Sequence, residues 1–158
     1  MNLKCAIADR YRKFRRLSRT EQKLFIRALA VLPVVILSHR LFGFTQTHSF
    51  LRRRQPGRDG VVIEITRHAV STARMIAAAA RYGGVRANCL ARSETLWWML
   101  WRQGIASELR IGVRKNHGDF AAHAWIEWQG TVLNDDADVH ERFAALERPA
   151  NAMGADFK

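Results

Sequence analysis

Two runs decide the fold: NCLARSETLWWMLWRQGIASELRIGV at 88–113 and HAWIEWQGTVLND at 123–135. The first changes period part-way. Over 89–103 the apolar residues Leu90, Leu96, Trp97, Leu100 and Trp101 give a helix a broad apolar face. Asn88 offers a side-chain oxygen as N-cap, and Gly104 supplies the stop. Beyond Gly104, Leu109, Ile111 and Val113 alternate with Arg110, Gly112 and Arg114, the period of a half-buried strand. Residues 115–119 read as a turn, 120–128 as a second strand, Gln129-Gly130 as a second turn and 131–135 as a third strand. The tail after Asp136 is short and mixed, with a helix expected around 141–146.

Upstream, residues 61–82 carry a long helical pattern with Val62, Ile65, Val70, Ala73, Ile76 and Ala80 on or near one face, ended by Gly83-Gly84. Residues 8–29 read as an amphipathic helix, and Ser18-Arg-Thr-Glu21 has the capping-box form. Pro33 interrupts the next apolar run, which predicts a kink or a fresh start there. The charged, Pro/Gly-containing stretch 52–60 is the expected boundary. It divides a basic helical N-terminal extension, 1–58, from a second domain, 59–158. Helices followed by an antiparallel meander make the fold class α+β.

The chain has 158 residues, 48% of them apolar and 25% charged, the profile of a folded protein rather than a disordered one. Its net charge of +12 is unevenly placed. Residues 1–58 hold 14 Lys+Arg against 2 Asp+Glu, while residues 59–158 hold 12 of each. The basic character belongs to one segment, and that segment has no nucleic-acid-binding motif and few aromatics to stack on bases. No nucleic acid is expected as a partner. Contact of this arm with an anionic membrane surface stays open. The apolar run 28–38 is 11 residues long, short of the roughly 20 a spanning helix needs, and reads as a buried helix. Two cysteines, Cys5 and Cys89, make no disulfide framework and no zinc spacing, so both are read as reduced thiols in the cytoplasm. Neither a metal nor a cofactor is called for.

A nucleophilic thiol must ionise near neutral pH, and the free amides and positive dipole end of a helix N-terminus favour that. Cys89 directly follows the capping Asn88. His123 sits mid-strand in Ala-Ala-His-Ala-Trp, where small neighbours leave room for another element to approach. A base of this kind needs a carboxylate to fix its tautomer and charge. Strand pairing puts Asp135 beside His123 if the hairpin loop after Trp128 has three residues, and Asp136 if it has two. Both stay open on geometry. His117 reads as an exposed loop residue, and His39, His48, His68 and His140 receive no role.

The quoted runs resemble the leader peptidase (the B protein) of lasso-peptide biosynthesis, a transglutaminase-like cysteine protease family. The resemblance covers about residues 60–140. It rests on a Cys at a helix start with Arg92-Ser93 behind it, a Trp-rich helix, Leu-Arg-Ile-Gly-Val, and His-Ala-Trp. It implies a transglutaminase/papain-like core with Cys89 as nucleophile and His123 as base, and its His-to-Asp spacing falls on Asp135. It also implies the substrate, a ribosomal precursor peptide cut between leader and core, and a separate cyclase resembling asparagine synthetase. Fused members carry a small winged-helix-like leader-binding domain ahead of the peptidase. Residues 1–58 lack the β-branched strands of such a domain, so the chain resembles the stand-alone form, with a separate small leader-recognition protein as partner. The alternatives are acyl transfer to an amine by the same three residues, or a non-enzymatic basic helical module binding nucleic acid or a membrane surface.

Overall fold

The computed structural model describes residues 11–52, 62–116 and 119–146. Expectations on Cys5, on most of the 52–60 break and on His117 fall outside them. Among the described residues a short helical stretch over 11–15 precedes three longer helices: α1 (Arg19–Arg52), α2 (Val62–Tyr82) and α3 (Cys89–Trp101). Four antiparallel strands follow, β1 (Glu108–Asn116), β2 (Asp119–Trp128), β3 (Thr131–Val132) and β4 (Ala144–Ala145), with the short helix α4 (Val139–Arg142) between the last two. Their order in the sheet is β3-β2-β1-β4. The α+β reading is correct.

The capping box closes as read. Ser18 Oγ accepts from the Glu21 amide at 3.2 Å, and Glu21 Oε2 accepts from the Ser18 amide at 3.0 Å, so two otherwise unpaired donors are satisfied and α1 begins at Arg19. Pro33 does not break this helix. The break comes at Gly43, whose φ of 76° and ψ of 170° only glycine adopts without strain. The chain turns there and continues as a second helical half.

One core unites the helices with a face of the sheet. Leu24 and Ala28 of α1, Ala69, Ala73 and Ile76 of α2, Leu96, Trp97 and Leu100 of α3, and Ala124, Ile126 and Trp128 of β2 are buried together. Residues 19–52 therefore supply core rather than forming an extension beside it. The +12 balance of the N-terminal segment concealed this, because its charges sit on the faces that α1 turns outward. Val70, expected on the inner face of α2, is exposed; Ala69, Thr72 and Ala79 are inside instead.

The opposite face of the sheet carries a second small cluster of Trp125, Val139 and Phe143. Gly112, the glycine of Leu-Arg-Ile-Gly-Val, is what makes it fit. A Cβ there would lie 2.8 Å from the Trp125 ring and 3.0 Å from Phe143 Cβ. Gly112→Ala is expected to lower stability by roughly 1–3 kcal/mol through overpacking, measurable by urea unfolding. Gly112 pairs directly with His123.

Candidate active site

Cys89 is the first residue of α3, and the structure caps that helix as the sequence predicts: Asn88 Oδ1 accepts from the Ala91 amide at 2.8 Å. The thiol is free and half-buried. One turn further along the same helix, Ser93 fastens α3 to the sheet. Its hydroxyl donates to the Ala124 carbonyl at 2.8 Å, beside His123 on β2. Asn134 completes the fastening, donating from Nδ2 to Ser93 Oγ at 2.8 Å and accepting the Ile126 amide on Oδ1 at 2.7 Å. Positions four apart share a helix face, so the face of α3 that meets β2 at Ala124 is the face that bears Cys89. Among the described residues no hydrogen bond joins Cys89 to His123; their elements are what the Ser93 relay brings together.

His123 and Asp135 are in direct contact, through Nε2 and Oδ2. The loop between β2 and β3 has two residues, since Trp128 pairs with Thr131, and Gln129 (φ 48°) and Gly130 (φ 75°) make the tight turn. Continued pairing would have set His123 against Asp136. The ladder stops first. After the Leu133 amide bonds the Ile126 carbonyl, the Asn134 side chain takes the place of backbone and the chain bends, bringing Asp135 under the imidazole. The expected third strand, 131–135, is thus confined to Thr131–Val132. Loop parity decides the partner only while a strand runs on, and here a side chain ends it.

The second oxygen of Asp135, Oδ1, accepts from Arg142 Nη2 at 2.6 Å and from the Asp136 amide at 2.8 Å. Burial alone would raise this carboxyl; the bonds from His123, the Asp136 amide and Arg142 outweigh it and hold Asp135 below the usual carboxylate range. It is therefore an anion at neutral pH. With Nε2 engaged, Nδ1 is the imidazole nitrogen left for proton transfer. The ring is sandwiched on Phe143, centroids 4.9 Å apart and planes 27° apart, which limits its rotation.

A model of one protein family matches residues 28–148, with the description transglutaminase-like superfamily. The chain belongs to the transglutaminase-like superfamily. No curated protein and no solved structure matches it. The superfamily match begins inside α1, in keeping with the place of that helix in the core. Transglutaminase-like proteins include cysteine proteases and acyltransferases, two outcomes of one acyl-enzyme.

Arg142, Asn134 and the role of Ser93 escaped the sequence reading. Asn134 carried a readable signal, a polar amide inside a run read as strand. Arg142 carried none, because its contact depends on α4 folding back over the sheet.

If this arrangement is catalytic, its two aspartates part company. Asp135→Asn is expected to lower turnover on the order of 10³–10⁴-fold, by removing the charge that fixes the imidazole. Asp136→Asn should change it less than about twofold, since that side chain is 89% exposed and only its backbone amide touches Asp135. Single-turnover rates of both variants compare them, and the reverse ranking would remove Asp135 from its role.

Proposed function

We propose that the protein is a cysteine peptidase that removes the leader from a ribosomally made lasso-peptide precursor. The contact of His123 with Asp135, on the strand to which Ser93 ties the Cys89 helix, is the observation that carries the peptidase chemistry. Superfamily membership supports the same thiol chemistry. The substrate class rests on the resemblance of residues 88–113 and 123–135 to leader peptidases.

In this reading the Cys89 thiolate attacks the scissile carbonyl and His123, through Nδ1, protonates the leaving amine of the core peptide. Water then attacks the acyl-enzyme, losing a proton to His123, and releases the leader carboxylate and the thiol. The helix cap uses the Ala91 and Arg92 amides. The Cys89 amide is the natural oxyanion donor. Asp135 holds the imidazole, and Arg142 holds Asp135. Leader binding lies on a separate small protein, and the freed core amine passes to an asparagine-synthetase-like cyclase, all in the cytoplasm.

The test is mass spectrometry of full-length precursor incubated with the purified chain, with and without the small leader-binding protein. A new core N-terminus, formed at least about tenfold faster with the partner present, is the expected result. Equal rates, with tight leader binding by this chain alone, would place recognition here. Absence of cleavage together with incorporation of an added amine would favour the acyltransferase reading.

A further inference from the structure

Helix α1 is long and apolar enough to cross a membrane, yet only 22% of its most apolar window is buried. Its inner face, Leu24, Ala28, Leu32 and Val35, is built into the core. The outer face is not. Val34, Leu37, Leu41, Phe42 and Phe50 are between 56% and 73% exposed, five of the most exposed large apolar side chains among the described residues. Residues 30, 34, 37 and 41 fall on one stripe at helical spacing, and Lys23 and Arg27 continue it. Beyond the turn at Gly43, the two helical halves flank a groove of about 660 Å³ lined by Val34, Val35, Phe42 and Phe50. The charges on this helix are predominantly basic: Arg19, Lys23, Arg27, Arg40 and Arg52 against Glu21.

We infer that this outer face of α1 is a membrane-surface site that seats the protein on a bilayer of anionic lipids. The helix lies in the interface instead of crossing it. A spanning helix would have to withdraw Leu24, Ala28, Leu32 and Val35 from the core and break the contact of His39 with the buried Glu94. A helix lying flat keeps all of these and sinks only the stripe. Lys and Arg beside such a stripe reach outward to lipid phosphates. A second copy of the chain fits less well, since a two-fold contact through this stripe would oppose basic residues to basic residues. An apolar stripe with a predominantly cationic border matches a surface that is both hydrocarbon and anionic. The inference is independent of which peptide the active site cleaves.

The experiment is co-sedimentation of the full-length chain with two vesicle types, phosphatidylcholine alone and phosphatidylcholine with about one third phosphatidylglycerol. Partition onto the anionic vesicles is expected to be about tenfold or more the stronger. Leu37→Glu combined with Leu41→Glu should abolish binding to both, while Arg27→Glu with Arg40→Glu should erase the anionic preference. Val70→Ser, on an exposed apolar residue of α2 away from the stripe, should bind as the parent does. All the replaced side chains are exposed, and circular dichroism checks that each variant is folded. Absence of vesicle binding, equal partition onto both lipids, or unchanged binding by the Leu37/Leu41 variant would overturn the proposal. A lipid-free dimer that the same variant dissociates, with no vesicle binding, would assign the face to a second copy and overturn it too.

Discussion

Cys89→Ala is expected to abolish precursor cleavage, by a factor on the order of 10⁵ or more, while leaving the fold intact. The two halves of this expectation have separate causes. Activity falls because the alanine methyl cannot form the acyl-enzyme on which every later step depends. Stability holds because the helix start does not depend on the thiol: Asn88 caps the Ala91 amide, and the Ser93 hydroxyl grips the Ala124 carbonyl. A half-buried sulfur replaced by hydrogen should cost no more than about 1 kcal/mol. Mass spectrometry of the precursor gives the first half, and a thermal melt the second. Cleavage at the parent rate would remove Cys89 as nucleophile. Lost activity with a collapsed melting transition would show that the cysteine is needed for packing. His123→Ala should be about as damaging, and the double variant no worse than either single one, because groups that act as a unit do not contribute additively.

The helix-to-strand switch at Gly104 was legible because period is a local property. The alternation of Leu109, Ile111 and Val113 places a half-buried strand whatever surrounds it. Asn88 and Ser18 were legible for the same reason, since a cap bonds within three residues. What escaped depends on distant residues. That α1 belongs to the core follows from Leu24 and Ala28 meeting Leu96 and Trp97, a packing on which the charge balance of a segment says nothing. The partner of His123 could not be had from loop length, because Asn134 ends the ladder that the argument assumed would continue. The resemblance of the quoted runs favoured Asp135, while the geometric argument, given the two-residue loop actually present, favours Asp136. Taken singly, His39 and His48 are isolated histidines on helices. Only the fold brings both onto Glu94.

That cluster carries the largest expected effect on stability. Glu94 is fully buried on α3, and it meets His39 and His48 from the two halves of α1, on either side of the break at Gly43. His39 Nε2 is bonded to Oε2. His48 Nδ1 lies 3.3 Å from Oε1, close enough for attraction but not aligned as a hydrogen bond. The His48 ring is held between Phe44 and Trp97, 4.2 Å from the indole, so it has little freedom to find another partner. Glu94→Ala removes the carboxylate that both imidazoles face and leaves a gap between α3 and α1. The expected loss is roughly 3–5 kcal/mol, the cost of breaking a buried pair from one side. Glu94→Gln keeps the shape and one acceptor oxygen and should lose less. Burial alone would raise the Glu94 carboxyl, but the two imidazoles outweigh it and hold the group below its ordinary range. A carboxyl depressed in the folded state contributes its full stability above the unfolded pKa, and the contribution fades as pH falls through the folded one. Acid should therefore destabilise the parent protein below about pH 4 more steeply than it does Glu94→Gln. The limb that remains in the variant belongs to Asp135 and Glu21, which are depressed in the same direction. Urea unfolding of parent and variant across that range measures the difference. Parallel pH profiles would mean that Glu94 titrates alike in the folded and unfolded protein, and that its charge adds nothing to the joining of α3 to α1.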